Sequence, residues 1–343
     1  MPLQYYLRKA VSFINSMRFH LFILYISTIS AYSQGMINPI PARLEITDRV
    51  PDGLLAKRSC VFYTSNFSDQ ELETIQSSFQ KSGIDAVAYF KTALVFAGAD
   101  VTPKIADFLT KREIAFIILI SKEENAYSFI ITPFNSTNKF VNNGQPGWQV
   151  QNSDLNEALQ SIYRSTVNSQ PIKNLLINSY AEKNFPINII EGRRSDFFAL
   201  DLKVDRLAVP WFKDAAADSV LSKFFKENYP LSYGMTEPGI DSKELRNNGF
   251  HYVLSYVHTE GAIARDILGY PVTSKESALT SVTYPNGSVQ LKTIPAETPV
   301  YKFYFKHLVS GNVFLGTKWD ADVTWQNALR NHIKGFKAEL KIP

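Results

Sequence analysis

The sequence predicts an α/β protein made of two tandem units, each with the element order β-α-β-α-β-β-β-α and each forming a mixed sheet covered by helices. Three observations predict this class. Apolar runs of strand length alternate with amphipathic helical segments, this order occurs twice, and equivalent positions in the two passes carry similar side chains. The chain has 343 residues, of which 45% are hydrophobic, and that is enough apolar material for two such units.

The first unit is predicted to span residues 34–165. Its first helix begins at Ser68, a residue type that caps helix N-termini, and ends at Gly83, which can adopt the left-handed conformation of a helix end. The apolar run 115–120 has the composition of a strand buried on both faces. The predicted elements are strands at 59–63, 115–120 and 127–131, a helix at 68–83, a turn-like segment at 135–140 and a final helix around 155–159.

The second unit is predicted to span residues 201–343. An insertion at about 261–298 contains a hairpin signal, because the turn sequence Pro285-Asn286-Gly287 lies between two alternating runs. The segment 166–200 joins the units, and its mixture of polar, proline and apolar residues predicts a packed connection. At a constant offset of 146 residues the equivalent positions are Val61 and Leu207, Tyr63 and Val209, Ile75 and Leu221, and Phe79 and Phe225.

Residues 1–33 are predicted to form a signal peptide. An apolar stretch beginning at Phe19 follows Arg18 and ends in the small-residue box Ala31-Tyr32-Ser33, which makes Gln34 the first residue after cleavage. An uncleaved anchor is the alternative, but polar residues follow too soon for a span of about 20 apolar residues. No integral membrane span is expected after cleavage.

A start at Met17 would give a shorter and more typical signal than a start at Met1, so Met17 is the expected translation start. A mature chain that begins with Gln34 resembles exported proteins of Gram-negative bacteria. The expected location is therefore the periplasm, or an outer-membrane-associated or extracellular position, of such a bacterium.

Charge and cysteine content exclude several classes of function. The formal net charge is +4, but residues 1–33 hold three basic residues and no acid, so the rest of the chain has 33 basic and 32 acidic residues. This balance does not indicate nucleic acid or anionic lipid as a partner. Cys60 is the only cysteine, which excludes an intramolecular disulfide and a cysteine metal cluster. Its apolar neighbours predict a buried, structural thiol.

Three segments of the second unit carry a family resemblance. Residues 205–212 (DRLAVPWF) have the form of an opening strand IAV-x-PF, residues 249–254 (GFHYVL) that of a strand GFDYVL, and residues 301–319 that of a hairpin ending in Trp. Together they resemble the TolB amino-terminal domain and CsgG-like envelope proteins, over roughly residues 205–336 and, more faintly, 57–165. The resemblance implies a non-enzymatic envelope protein that docks on other proteins. The lipid-bearing cysteine common in that group is absent from this sequence.

No catalytic, cofactor-binding or metal-binding residue is predicted, because the sequence lacks the phosphate-loop, dinucleotide, zinc-protease, serine-hydrolase and EF-hand motifs. The alternative site is the group His258, Glu260 and Asp266 at a predicted strand end. His258 and Glu260 are two residues apart, so on a strand they share a face and could act as acid–base partners or bind a metal. A solvated loop after a buried strand is the simpler interpretation.

Two repeated or paired features receive structural interpretations. Asp320 and Asp322 could be paired catalytic or Ca²⁺-binding carboxylates, but their position before the last helix favours a role at its positive N-terminal end. Trp148 and Trp319 precede the final helix of each unit, which predicts a packing anchor beneath that helix.

The sequence therefore predicts an exported cell-envelope protein that acts as a non-enzymatic protein-binding or scaffold module. The alternative is a secreted hydrolase or a carbohydrate- or small-ligand-binding protein that uses a cleft near His258, Glu260 and Asp266, and a further one is a ligand site between the two units. The expected partner is another envelope protein, without nucleic acid or cofactor. Partner identity and oligomeric state stay open.

Overall fold

The computed structural model describes residues 38–123, 126–180, 182–183, 187–271, 276–285 and 288–343. The predicted signal peptide and the expected start at Met17 lie outside these residues. Within them the chain forms fifteen strands and eight α-helices, with three short 3-10 turns. No helix in the described part of the chain combines the length and the apolar character needed to cross a membrane.

The first sheet has seven strands in the order β1-β6-β5-β4-β2-β3-β7. The strands β4, β2, β3 and β7 run parallel, β5 is antiparallel to both of its neighbours, and β1 runs parallel to β6 at the edge. Its elements are β1 (Leu44–Thr47), β2 (Arg58–Tyr63), α1 (Asp69–Ser82), β3 (Asp85–Lys91), α2 (Thr92–Val95), α3 (Thr102–Lys111), β4 (Ile114–Glu123), β5 (Ala126–Pro133), β6 (Gln145–Asn152), α4 (Leu155–Ser169) and β7 (Glu182–Lys183).

The second sheet has six strands in the order β10-β9-β11-β14-β15-β8. The strands β10, β9 and β11 run parallel, β14 is antiparallel to both of its neighbours, and β8 runs parallel to β15. Its elements are β8 (Arg194–Ser195), β9 (Leu207–Pro210), α5 (Ala215–Asn228), β10 (Tyr233–Thr236), α6 (Ser242–Asn247), β11 (Tyr252–Glu260), α7 (Gly261–Ile267), β14 (Pro299–His307), β15 (Val313–Phe314) and α8 (Trp325–Leu340).

The predicted α/β class with two mixed sheets is confirmed. The order β3-β2-β4-β5-β6 of the first sheet has the same connections as the order β10-β9-β11-β14-β15 of the second. Duplication of one unit stays a prediction, which this common order supports. The insertion contains the expected hairpin, formed by β12 (Ala278–Thr283) and β13 (Gln290–Pro295). The connecting segment contributes β7 to the first sheet and β8 to the second, while Leu175, Leu176 and Tyr180 within it are exposed, so a packed connection over its whole length stays a prediction.

Local sequence signals explain the first helix of the first unit. The Ser68 side chain accepts a hydrogen bond from the Glu71 N–H, and the Glu71 carboxylate accepts one from the Ser68 N–H, so the two residues form a reciprocal capping box. Gly83 ends the helix with a φ of 84°, in the left-handed region. The N-cap at Ser68 and the helix end at Gly83 were predicted from the sequence, and the reciprocal bond to the Glu71 carboxylate is an addition from the structure. They fix the helix between two strands and orient its apolar side toward the sheet.

Each sheet buries side chains on both faces. In the first sheet Val61 and Tyr63 pack beneath α1 and α4, while Cys60 and Phe62 point to the opposite face, where α3 packs. That opposite face also meets the second half of the chain. Phe62 and Leu119 belong to the same buried cluster as Val257, Tyr304 and Leu315. The two sheets therefore share one hydrophobic core along this contact.

A single glycine allows the loop after α2 to approach β11. Gly98 has a φ of 152°, and a Cβ atom there would lie 2.7 Å from the backbone oxygen of Tyr256. Next to it, the N–H of His258 donates to the Ala97 oxygen at 2.7 Å, and the Thr259 hydroxyl donates to the Ala93 oxygen at 2.7 Å. This loop thus joins the two halves through backbone contacts.

Gly98→Ala is expected to destabilise the fold by about 1–3 kcal/mol, because the methyl group collides with backbone that cannot move freely. Urea unfolding followed by tryptophan fluorescence measures the effect. Gly144→Ala is the matched control, since Gly144 also has a positive φ, 69°, but nothing lies within 4 Å of its Cβ position. An equal loss for both variants would show that φ strain, and not the contact with β11, causes the effect.

Candidate functional site

The predicted residues His258 and Glu260 lie in the contact between the halves. The His258 ring stacks on Tyr301, with ring centroids 3.8 Å apart and planes 6° from parallel. Burial lowers the pKa of His258 to about 4, so the ring is neutral at pH 7. Glu260 is 8% exposed and accepts a hydrogen bond from the Ser65 hydroxyl. Its second carboxylate oxygen lies 3.9 Å from the Lys91 ammonium.

Asp266 differs from His258 and Glu260 in its exposure. Its side chain is exposed on α7, whereas His258 is partly buried and Glu260 is buried. No group of three His, Cys, Asp or Glu side chains in the described ranges is arranged to hold a metal ion. His258 stacks on a neighbouring strand, and Glu260 bonds residues of the first half. The structure therefore gives His258 and Glu260 separate packing partners and does not bring Asp266 to them.

The Cys60 thiol is structural, as predicted. It is fully buried and donates to the Ala88 oxygen at 3.3 Å. Burial raises the pKa of this thiol far above its ordinary value, so no thiolate forms at neutral pH.

The predicted role of Asp320 and Asp322 at the last helix is wrong. The N-cap of α8 is Thr324, whose hydroxyl accepts from the Asn327 N–H. Asp320 instead lies 2.7 Å from the Lys302 ammonium and 3.1 Å from Nδ1 of His332. Asp322 lies 3.0 Å from the Lys292 ammonium. Burial of both carboxylates explains the difference, because a buried charge needs a charged partner more than a helix end.

Lys302, Asp320 and His332 form a buried charged cluster that sequence reasoning missed. Burial lowers the pKa of Lys302, against the pull of Asp320. Burial also lowers the pKa of His332, and the Lys302 charge adds to this effect. For Asp320, burial alone would raise the pKa, but Lys302 and His332 outweigh it and leave the pKa below its usual range. The cluster is therefore an ammonium–carboxylate pair beside a neutral imidazole.

This cluster has the Asp–His pairing of some hydrolases, but it lacks their access. His332 is fully buried, and its Nε2 has no hydrogen-bond partner in the described part of the chain. The rings of Phe198 and Phe305 pack against the imidazole, with centroids 5.2 and 5.0 Å away. The cluster joins β14, through Lys302, to the loop after β15, through Leu315 and Asp320, and to α8, through His332.

Of the two tryptophan predictions, one is confirmed and one is wrong. Trp148 is 5% exposed and packs with Ala158 and Leu159 of α4, so its anchor role is confirmed. Trp319 instead packs against Tyr270, with ring centroids 5.0 Å apart, and does not anchor α8. The insertion in the second unit supplies this different partner.

A partly open cavity of about 250 Å³ lies at the carboxyl-terminal edge of β9 and β10. Its walls are the loops that follow these strands, together with the side of β11. The cavity exists because β9 is short: β11 pairs with β9 only through Tyr252 and Val253 and then continues past its end. In the first sheet the equivalent strands β2 and β4 pair along all six residues of β2. Ligands commonly bind at such an edge, where successive crossovers leave on opposite faces of a parallel sheet.

The cavity is mostly apolar, and its charged lining residues are Asp100, Lys306 and Glu237, the last of which pairs with Lys213. The Lys306 ammonium lies 3.0 Å from Asp100, and the Tyr304 hydroxyl donates to the other oxygen of Asp100 at 2.5 Å. Burial and the Asp100 charge raise the pKa of the Tyr304 hydroxyl, which keeps it a donor. The aromatic and aliphatic lining includes Trp211, Phe212, Leu221, Ile240, Leu254, Tyr256 and Phe303.

The outer edge of β10 is a second feature of this region. The backbone oxygens of Ser232 and Thr236 accept hydrogen bonds from β9, so the even-numbered residues face that strand. By the alternation of a parallel pair, the N–H and C=O groups of Tyr233 and Met235 point to the other side. Within the described residues no strand pairs there. The equivalent edge of the first sheet, β3, is covered by β7.

The fold and this region define a mixed α/β protein with an open sheet edge next to an apolar cavity. Neither the models of known protein families nor the characterised proteins include a match to this chain.

Proposed function

We propose that the protein is an exported, non-enzymatic protein-binding module of a Gram-negative cell envelope, and that it accepts an extended segment of a partner protein as an added strand along β10. The observation that carries the proposal is the open outer edge of β10. An exposed strand edge offers unpaired backbone donors and acceptors, which bind an extended segment through main-chain hydrogen bonds. The resemblance to TolB-type and CsgG-like envelope proteins and the signal-like residues 1–33 support the location.

The first sheet supplies a model for the proposed contact. There β7, a two-residue strand of the connecting segment, adds to β3 in parallel orientation. The segment that adds to β10 would take the same position relative to its sheet. A partner segment of about four residues matches the length of β10. Such a short edge gives moderate affinity, which suits reversible docking.

Met235→Pro is expected to reduce capture of the partner at least about tenfold. Proline removes the outward N–H and places its ring against the added strand, while the bonds to β9 involve other residues. The measurement is an affinity pull-down from cross-linked envelope extract with residues 34–343 as bait and mass spectrometry as readout. The same experiment on the native protein identifies its mature N-terminus, which is expected at Gln34.

Met235→Ala is the matched control, because it shortens the side chain and keeps the N–H. A partner recovered with the wild type and with Met235→Ala, but not with Met235→Pro, supports strand addition. Equal recovery with all three baits places the contact elsewhere and contradicts the proposal. A native N-terminus that still contains the apolar stretch after Arg18 would contradict signal cleavage.

The alternative, a hydrolase or ligand-binding protein that uses His258, Glu260 and Asp266, has less support. His258 and Glu260 have their partners inside the contact between the halves, and a substrate would need to displace Tyr301 or Ser65 to reach them. His258→Ala in an activity screen on the full chain tests this alternative directly.

A further inference from the structure

We propose that the cavity at the end of β9 and β10 binds a small neutral aromatic molecule that carries one hydrogen-bond acceptor. This inference concerns a ligand site and does not depend on the partner contact proposed for the β10 edge. It is carried by the size of the cavity, by its aromatic walls and by the ion pair at its side. Each of these limits the chemistry of the ligand.

Size limits the ligand to about one ring with a short substituent. The cavity holds about 250 Å³. An apolar protein cavity of about 150 Å³ is large enough for benzene, so the additional space accommodates a substituent of two or three heavy atoms. Long lipids and oligosaccharides are too large for this volume.

Aromatic walls favour a planar ring. Phe212 and Tyr256 have centroids 5.6 Å apart, and Tyr256 and Phe303 have centroids 5.4 Å apart, so these rings form one continuous surface. Trp211 and Phe212 are only half-buried, although the residues of the cluster against which they pack are buried. A ligand ring that packs against Trp211 and Phe212 would bury aromatic surface that is now exposed. It could make the edge-to-face contacts that aromatic rings prefer.

Charge in the wall favours a neutral ligand with an acceptor. Both oxygens of Asp100 are engaged, one by Tyr304 and one by Lys306. An ammonium has three N–H donors, and Asp100 uses one of those on Lys306. A ligand carbonyl can accept from a second. A ligand carboxylate would lie in a wall that holds the carboxylates of Asp100 and Glu237, and a ligand cation would lie beside Lys306, so both are disfavoured relative to a neutral molecule. The Glu237 charge is balanced by its own partner, Lys213.

At the equivalent edge of the first sheet, side chains occupy the space that is a cavity in the second sheet. There Glu260 reaches Ser65 after β2 and Lys91 at the end of β3, and Thr259 bonds the Ala93 oxygen. Side chains of the second half thus fill the edge. No side chain of the described residues fills the corresponding space at β9 and β10.

Acetophenone and toluene are the probes, because they share the ring and differ in the carbonyl acceptor. Ligand-observed NMR titration of the full chain, residues 34–343, gives both dissociation constants. We expect saturable binding of acetophenone, and we expect Trp211→Ala to weaken both probes about tenfold. We expect Lys306→Met to reduce the preference for acetophenone over toluene about tenfold, since a hydrogen bond to a charged donor is lost. Benzoate is expected to bind more weakly than acetophenone.

Lys223→Met is the control for Lys306→Met, because Lys223 is exposed on α5 of the same half and lies outside the cavity. Circular dichroism and thermal unfolding report whether each variant folds. If Lys306→Met does not fold, the proposal is tested by the effect of Trp211→Ala on both probes and by the comparison of benzoate with acetophenone. Absence of saturable acetophenone binding to the folded wild type overturns the proposal. So does binding that Trp211→Ala leaves unchanged, or a probe preference that Lys306→Met leaves unchanged.

Discussion

Lys302→Met is expected to destabilise the folded state by about 3–5 kcal/mol, because it leaves the Asp320 carboxylate buried without its cation. The Lys302 side chain is fully buried, and its ammonium lies 2.7 Å from both Asp320 and the Leu315 oxygen. Urea unfolding at pH 7, followed by fluorescence, measures the change in free energy of unfolding.

Lys111→Met is the control, since Lys111 is 74% exposed and pairs with Asp107 across one helical turn. A change below about 1 kcal/mol is expected for an exposed pair of this kind. The double variant Lys302→Met/Asp320→Leu should be more stable than Lys302→Met alone, because it removes the unpaired charge. If Lys302→Met lowers the free energy of unfolding no more than the control, the buried pair does not stabilise the fold.

The second large effect is a loss of stability between pH 6.5 and about pH 4. His258 has an ordinary pKa of 6.5 in the unfolded chain, and burial lowers it to about 4 in the folded state. In this window the unfolded state binds a proton that the folded state does not, so stability falls as the pH falls. A shift of this size corresponds to about 3 kcal/mol at the acid end. Burial of His332 lowers its pKa in the same direction.

Chemical unfolding at several pH values tests this expectation. His258→Phe keeps a ring on Tyr301 and removes the titrating group, so the slope of stability against pH should decrease. The matched control is His251→Phe, at the exposed residue just before β11.

The carboxylate of Glu71 affects stability only at lower pH. Burial alone would raise its pKa, but hydrogen bonds from Lys122, Ser68 and Tyr127 lower it to about 2. The stability that Glu71 contributes is therefore lost only below about pH 4.5. An unchanged slope in His258→Phe above pH 4.5 would rule out His258 as the cause.

Local sequence signals were sufficient for the class and for many elements. The N-cap at Ser68, the glycine end at Gly83 and the hairpin of the insertion depend on neighbouring residues, and each forms where it was predicted. The buried thiol of Cys60 also follows from its apolar neighbours. These features need no knowledge of distant parts of the chain.

Distant contacts explain what the sequence did not reveal. Asp320 meets Lys302 and His332 only after β14 and α8 are packed, and nothing near Asp320 in the sequence indicates them. Glu260 finds Ser65 in the other half, 195 positions away. The cavity results from a difference in strand length between β9 and β11, which becomes visible only in the register of their pairing.

The core shared by the two sheets has a consequence for the synthesis of the protein. Phe62 and Leu119 share one buried cluster with Leu315 and Ala321, which are translated about 200–260 residues later. At about 5–20 residues per second, the apolar face of the first sheet waits about 10–50 s for these partners. The nascent chain therefore cannot complete its core until it is almost fully made, and during that time it depends on whatever keeps apolar surface from aggregating in the cell.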